Sequence, residues 1–167
     1  MKEVVSGIYV ESSYAPYNLV LVETATGGVV IDLPPNPMHA MNWLEQARGT
    51  TGDLRYVVLT DGGMDRQLGT AVCDVPIIAS EATSRAMAVY REERPRRDYL
   101  ETLTKRYPEE TEAFDNLGPR APTLAFSDTF VLYAGDRQLQ FEVVDGAGLG
   151  SLWITLPDVT LLIAGDT

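Results

Sequence analysis

The order of short apolar runs along the chain constrains its fold more than any other feature. Two runs rich in β-branched residues, at 18–23 and 29–33, flank a Gly-Gly turn, which is typical of a β-hairpin. Similar runs predict strands at 4–10, 56–59, 76–79, 123–126, 129–133, 138–144, 151–156 and 160–164. Helical segments separate the early strands, and strands alone close the chain. The sequence therefore predicts an α/β (α+β) fold, in which a mixed sheet carries helices on one face.

A first helix is predicted directly after the hairpin. Asn36 is a good N-cap, Pro37 suits the first helical position, and Gly49 suits the end. Apolar residues that recur every three positions predict its buried stripe: Met38, Met41, Leu44 and Ala47. His39 lies off that stripe, so we expect it to be exposed.

A second helical region is predicted at 81–116. Ser80 can cap it, and Ala82, Ala86 and Val89 form its predicted apolar face. Basic and acidic side chains alternate between 91 and 106, which favours a solvated helix with ion pairs along it. A local anion-binding patch is the alternative interpretation.

Composition limits the classes of function. The 167 residues suit one domain, 1–167, and no apolar run is long enough for a membrane span. The net charge of −11 disfavours nucleic acid and anionic lipid as partners. A single cysteine, Cys73, excludes an internal disulfide and predicts a cytoplasmic location. Because His39 is the only histidine, no mechanism can use two histidines of this chain.

The segment 56–66 resembles the metallo-β-lactamase signature, in which a strand ends in Thr-His-x-His-x-Asp-His. Thr60 and Asp65 match this pattern. Asp61, Gly63 and Arg66 stand where the family has its three histidines. The spacing of the signature is kept, but its metal-binding chemistry is not.

Three further segments resemble the same family, in the same order. The hairpin at 18–32 ends in Ile-Asp, as the opening hairpin of the family does. Residues 145–151 resemble Pro-Gly-His-Thr-Pro-Gly-Ser, with Ala147 in place of the metal-binding histidine. Residues 161–167 resemble the strand that ends in Gly-Asp-Thr, whose aspartate, here Asp166, bridges two metal ions in the family.

This resemblance implies the N-terminal part of a metallo-β-lactamase-like αββα sandwich without a working zinc site. Zinc prefers imidazole, and glycine and alanine offer no donor. The former metal positions are Asp61, Gly63, Asp65, Arg66, Ala147 and Asp166. We therefore expect no zinc cofactor, and a non-catalytic binding or structural protein rather than a hydrolase. We also expect Arg66 to pair with Asp65 or Asp166, so that a guanidinium takes the electrostatic place of the metal.

One alternative keeps catalysis with a different metal. Asp61, Asp65 and Asp166, with Asp145 as a further candidate, would form an oxygen-rich site for Mg²⁺ or Mn²⁺. Such a site could hydrolyse an ester or phosphoester. A serine or cysteine hydrolase has less support, because Ser151 lies outside a nucleophile-elbow motif and Cys73 has no base nearby in the sequence.

The C-terminal strands predict self-association. Residues 161–164 are continuously apolar, as expected for a strand buried on both faces. The family fold continues beyond Gly-Asp-Thr, so this chain would leave an apolar face or an open strand edge. We therefore expect a homodimer or higher homo-oligomer through these strands, with the Thr167 carboxylate at the rim of the interface.

Overall fold

A computed structural model describes residues 1–89, 93–108 and 118–166, without the side chains of 93–96 and 106. Seven strands of this part form one mixed sheet, in sequence order. They are β1 (Lys2–Val5), β2 (Ile8–Glu11), β3 (Leu19–Thr24), β4 (Gly27–Ile31), β5 (Leu54–Val58), β6 (Ile77–Ser80) and β7 (Leu124–Phe126). Strands β1 to β4 pair antiparallel, and β4 to β7 pair parallel.

A second, antiparallel sheet follows in the sequence. Its strands are β8 (Thr129–Ala134), β9 (Arg137–Val143), β10 (Leu152–Leu156) and β11 (Leu161–Ile163). Their order is β11-β10-β9-β8, so β8 and β11 lie at the edges. Each strand pairs with the next one in the chain, as expected when short turns connect antiparallel strands.

Four helices are described: α1 (Pro37–Thr51), α2 (Met64–Gln67), α3 (Glu81–Val89) and α4 (Glu93–Arg106). A 3-10 turn, Leu68–Val72, extends α2. Asn36 caps α1 as predicted, through its Oδ1 to the amides of Met38 and His39. Ser80 caps α3 as predicted, with the Thr83 amide donating to its hydroxyl at 3.0 Å.

Two apolar cores divide the molecule into layers. Leu19 and Leu21 of β3 pack with Trp43 of α1 in one core, and Val20 and Val22 of the same strand belong to the other. The first core lies between the helices and the seven-stranded sheet, and the second lies between the two sheets. The described residues thus form three layers, helix, sheet and sheet, in the order of the αββα sandwich.

The buried stripe predicted for α1 was partly wrong. Met38 and Met41 are 49% and 42% exposed. The residues that α1 buries are Pro37, Ala40, Trp43, Leu44 and Ala47. A strict spacing of three drifts around a helix of 3.6 residues per turn, whereas the spacing i, i+3, i+4, i+7 stays on one face. The helix also continues to Thr51, beyond the predicted end at Gly49.

The apolar face predicted for α3 was wrong as well. The helix buries Thr83 and Met87, while Val89 is 55% exposed. Ala82 and Ala86 are only partly buried. Two small alanines suggested an apolar face, but the long Met87 side chain fills the space against the sheet.

Two strand predictions also need correction. The single strand expected at 4–10 is a hairpin of β1 and β2, which Gly7 allows by adopting φ +72°. Strand β11 is not buried on both faces, since Leu162 is 47% exposed. β11 is an edge strand of the four-stranded sheet, so one of its faces packs against the core and the other faces solvent.

Candidate functional site

Loops that follow neighbouring strands bring several charged residues together at one edge of the sheets. Parallel β4 and β5 end side by side, so Asp32 after β4 lies next to Thr60 after β5. The Thr60 amide and hydroxyl both donate to the Asp32 carboxylate, at 2.9 and 2.5 Å. Asp61 and Arg66 come from the same loop and the short helix α2, and Asp166 follows β11 of the other sheet.

Arg66 lies at the centre of this group and is only 3% exposed. Its Nη2 is 2.7 Å from Asp166 Oδ2, which confirms the predicted pairing with that residue. Its Nη1 is 3.4 Å from Asp32 Oδ2, and its Nε is 3.9 Å from Asp61 Oδ2. The guanidinium carbon also lies 5.5 Å from the ring centre of Tyr17, within cation–π distance. We call Arg66, Asp32, Asp61 and Asp166 the Arg66 cluster.

The contacts within the Arg66 cluster differ in kind. The contact with Asp166 has hydrogen-bond length, but Nε and Nη1 of Arg66 form no hydrogen bond at their longer distances. They interact with Asp61 and Asp32 through charge alone. Asp65, the other predicted partner, is half-buried and is not among the carboxylates paired with Arg66.

Burial has the largest effect on the pKa values of the two buried carboxyls of the cluster, Asp32 and Asp61. It raises the pKa of Asp32 above its ordinary value, against the opposing effects of Arg66 and the Thr60 hydrogen bonds. Burial likewise raises the pKa of Asp61, against the effects of the Gly63 amide and Arg66. For Arg66, burial disfavours the charged form, but Asp32 and Asp166 outweigh it and raise its pKa. The guanidinium therefore stays charged at any physiological pH.

Two glycines fit closely around Asp61. A Cβ on Gly148 would lie 2.7 Å from Asp61 Cβ, and one on Gly63 would lie 2.8 Å from Asp61 Oδ1 and 2.6 Å from Asp65 Oδ1. The Gly63 amide donates to Asp61 at 2.6 Å. Gly63, one of the predicted metal positions, is therefore packed against carboxylates, and a larger side chain there would displace them.

The remaining predicted positions do not complete a metal site. Ala147 and Asp145 are exposed, and the Asp166 side chain is 61% exposed. Within 1–89, 93–108 and 118–166, no three His, Cys, Asp or Glu side chains are grouped so that they could hold a metal ion. Gly63 and Ala147 provide no donor atom, and Arg66 adds a fixed cation. The residues present therefore do not fit zinc.

Three other candidates have structural partners instead. The Ser151 hydroxyl is buried and donates to the Gly148 carbonyl at 3.0 Å. Cys73 is buried, and burial raises the pKa of its thiol. His39, predicted to be exposed, is half-buried, with its ring centre 5.2 Å from that of Tyr14 and 5.9 Å from that of Tyr107.

Sequence reasoning assigned no site role to Asp32 and Tyr17. Asp32 is 2% exposed and holds both Thr60 and Arg66. The sequence did indicate a role for Asp32, because a carboxylate at the end of a wholly apolar strand needs a buried partner. Tyr17 gave no comparable signal, since its contact with Arg66 depends on how the loop before β3 folds back.

A cavity of about 160 Å³ opens beside the Arg66 cluster. Its polar wall contains Asn18, Thr60 and three members of the cluster. The apolar wall is formed by Pro16, Val20, Ile31, Ile163 and Ala164. The site therefore combines a charged floor with room for a small molecule.

Comparison with solved structures identifies the fold. A metallo-β-lactamase family protein from Thermus thermophilus superposes with a TM-score of 0.71 at 19% identity, over 97% of this chain and 60% of that one. A metallo-β-lactamase from Pontibacter korlensis gives a TM-score of 0.69 at 17% identity, over 94% and 66%. This protein therefore has the metallo-β-lactamase fold, and it spans less than two thirds of the length of these structures. The sequence matches no protein-family model and no curated protein.

A third similar structure has a comparable degree of overlap. It is a metallo-β-lactamase from Cronobacter sakazakii, described by its HARLDQ motif, with a TM-score of 0.64 and 19% identity over 95% of this chain and 60% of that one.

No helix among the described residues is both long enough and apolar enough to cross a membrane.

Proposed function

We propose that this metallo-β-lactamase-fold protein works without zinc, as a binding protein rather than a hydrolase. The observation that supports this most directly is the ion-paired Arg66 guanidinium at a former ligand position, 2.7 Å from Asp166. A metal ion would have to displace this cation from the carboxylates. Because arginine does not deprotonate in proteins, that displacement cannot be achieved by loss of a proton.

The charges of the site indicate what it would bind. With every group ionised, the three carboxylates of the Arg66 cluster exceed its one guanidinium, so a free anion is disfavoured. The cavity offers acceptor oxygens on Asp32, Asp166 and Thr60, opposite an apolar wall. These features favour a small, partly apolar molecule that bears a hydrogen-bond donor or a positive charge.

The first experiment measures zinc. We expect the purified wild-type protein to carry less than about 0.1 equivalent after growth with added zinc, because the ligand set is inadequate. The matched control is a variant with histidines at all four replaced positions (Asp61→His, Gly63→His, Arg66→His and Ala147→His). If this variant folds, it should gain zinc, while the wild-type protein does not.

Near-stoichiometric zinc in the wild-type protein, lost in Asp166→Asn, would overturn the proposal. So would hydrolysis of a β-lactam by the wild-type protein that a chelator abolishes. β-Lactam hydrolysis is the activity that the names of the similar structures imply for those proteins.

The alternative is a hydrolase that uses Mg²⁺ or Mn²⁺ on Asp61, Asp65 and Asp166. Arg66 opposes it, because two of these carboxylates already pair with the guanidinium. A bound cation would raise the melting temperature by mass action at millimolar concentration, and Asp61→Asn or Asp166→Asn would abolish the rise. We expect no such rise with either ion.

The single cysteine also supports a cytoplasmic location as part of this proposal, because a reducing compartment suits an unpaired thiol. Cell fractionation tests it.

A further inference from the structure

The loop at 145–151, which we call the strap, covers one side of the Arg66 cluster. A Cβ on Gly148 would lie 2.8 Å from Asp61 Cγ and 3.1 Å from Asp61 Oδ2, so the strap backbone packs directly against this carboxyl. Asp61 is 5% exposed. The Nε of Arg66, which lies 3.9 Å from the same Oδ2, is buried and forms no hydrogen bond. The strap therefore closes over a carboxylate that lies beside an unpaired N–H donor.

The two ends of the strap are fixed, because they continue two paired strands. Strand β9 pairs with β10 as far as Val143 opposite Leu152, and the Val144 amide donates to the Ser151 carbonyl at 2.9 Å. The Leu152 amide also donates to the Thr60 carbonyl at 2.8 Å. The strap can therefore move as one unit between these ends, without breaking the pairing of β9 with β10.

Hydrogen bonds to two carbonyls of the strap hold it closed. The Thr83 hydroxyl donates to the Leu149 carbonyl at 3.3 Å, and the Gly62 amide donates to the same carbonyl at 2.8 Å. The Ser80 hydroxyl, at the N-terminus of α3, donates to the Gly150 carbonyl at 3.0 Å. Gly150 can approach this closely because it has no side chain, since a Cβ there would lie 2.2 Å from Ser80 Oγ. Three hydrogen bonds thus connect the strap to the loop after β5 and to α3.

Opposing contributions set the stability of the closed strap. Its three hydrogen bonds favour closure. The dehydrated Asp61 carboxylate and the unpaired Nε of Arg66 disfavour it, because charged and polar groups gain free energy when water reaches them. Segments held by a few hydrogen bonds open locally, without unfolding of the whole chain. The strap is therefore suited to open while both sheets stay folded.

We propose that the strap is a gate: it opens locally when its three hydrogen bonds release, and its opening admits a small molecule with a hydrogen-bond donor to Asp61. This inference rests on the proposed binding function. It adds Asp61 to the binding site, because Asp61 is the member of the Arg66 cluster that does not line the cavity beside it. Ser80 and Thr83 are then positioning residues, which act on the site through the strap.

Amide hydrogen exchange measures the opening directly. The Gly62 amide should exchange much faster than the Val30 amide inside the seven-stranded sheet, and at a rate that low concentrations of urea do not change. Thr83→Val removes one hydrogen bond of the strap, so Gly62 should exchange about fivefold to tenfold faster than in the wild-type protein. Thr83→Ser keeps the hydroxyl and should exchange as the wild-type protein does. Val30 reports any loss of global stability in either variant.

Carboxyl labelling tests access to Asp61. A water-soluble carbodiimide couples glycine ethyl ester, a small amine, to accessible carboxyl groups, and mass spectrometry of peptides locates the amide that forms. Asp61 should be labelled faster in Thr83→Val than in the wild-type protein, by about the same factor as the Gly62 exchange. Labelling of Asp136, which is exposed on a distant turn, should not differ between the two proteins.

Gly62 exchange as slow as that of Val30 would overturn the proposal, because the strap would then open only when the chain unfolds. Unchanged Gly62 exchange or unchanged Asp61 labelling in Thr83→Val would overturn it as well. Both measurements are made without metal or a natural ligand. Their failure is therefore distinct from failure of the proposed binding function, which zinc content and hydrolysis decide.

Discussion

The Arg66 cluster buries charge, whereas the outer face of the four-stranded sheet exposes apolar side chains. Each region departs from the usual distribution of polar and apolar groups, but in opposite directions. In the Arg66 cluster the buried charges are balanced within the chain, because Arg66 lies within 4 Å of Asp32, Asp61 and Asp166. On the outer face, the exposed apolar side chains Val131 and Leu162 lie in one row with the polar side chains Gln140 and Thr155. A buried charge must find its partner within the fold, while a single exposed apolar side chain needs none.

The largest effect is expected from Arg66→Ala. Removing one partner of a buried ion pair costs about 3–5 kcal/mol, because here the Asp32 and Asp61 carboxylates would stay buried without compensation. Urea unfolding at pH 7 measures this loss. The matched control is Arg85→Ala, which breaks an exposed pair with Glu81 and should change the free energy of unfolding by less than about 0.5 kcal/mol. Equal losses of stability in the two variants would show that the ion pairs of Arg66 do not stabilise the fold.

A smaller loss of stability is expected from adding a side chain next to the Arg66 cluster. Gly148→Ala places a Cβ 2.7 Å from Asp61 Cβ, and such overpacking costs about 1–3 kcal/mol. Gly49→Ala is the control, since no atom lies within 4 Å of the added Cβ in helix α1. The control should gain about 0.5–1 kcal/mol from helix propensity. A neutral Gly148→Ala would mean that the loop 145–151 is free to move away from Asp61.

The pH dependence of Asp61→Asn tests whether burial governs this carboxyl. A raised pKa means that Asp61 contributes stability when protonated, and that this contribution is lost as the pH rises above its ordinary pKa of 3.8. Asparagine does not titrate, so the variant should gain stability relative to the wild-type protein as the pH rises. Urea unfolding at a series of pH values between that pKa and neutrality measures the slope.

Asp136→Asn provides a control of opposite sign. A hydrogen bond from the Ala25 amide lowers the pKa of Asp136, so its contribution is present above pH 3.8 and lost as the pH falls. Unfolding of this variant is therefore measured below pH 3.8, where it should lose stability relative to the wild-type protein as the pH rises. If the stability difference from the wild-type protein changed with pH in the same direction for both variants, the contrast between buried and exposed carboxylates would be wrong.

The smallest change in stability is expected on the outer face. Tyr133 is 76% exposed, so Tyr133→Thr should alter the free energy of unfolding by less than about 0.5 kcal/mol. Urea unfolding at pH 7 measures this value. A clear loss of stability would mean that Tyr133 supports the fold despite its exposure, and the contrast between the two regions would weaken.

Much of the fold and one pair of the site could be predicted from local patterns. Most strands, both helix caps and the spacing of Thr60, Asp65 and Arg66 depend on residues close together in the sequence. A pair of Arg66 with Asp65 or Asp166 was predicted, because Arg66 stands at a ligand position of the family motif and both aspartates match family motifs; the structure forms the pair with Asp166. The role of Asp32 was missed, because its contact with Thr60 follows from the parallel pairing of β4 with β5.

Burial was the least predictable property. The apolar stripe of α1 passes through Trp43 rather than Met38, and β11 exposes Leu162 although its sequence is continuously apolar. In both cases the apolar residues were identified from the sequence, but the side that the neighbouring layer covers was not. Thr167 and most of the basic side chains between 91 and 106 lie outside the described residues, so the predictions made for them stay predictions.

The sequence by itself determined which side chains can offer a donor atom, because a side chain without a donor atom binds no metal in any conformation. Gly63 and Ala147 are two such positions. Only the tertiary structure decided where the remaining charges go and which apolar side chains are buried. Asp32, Arg66 and Asp166 are far apart in the chain, and their meeting depends on strand order and on the packing of two sheets. Contacts of this kind are set by the arrangement of whole layers, and no local pattern of residues specifies them.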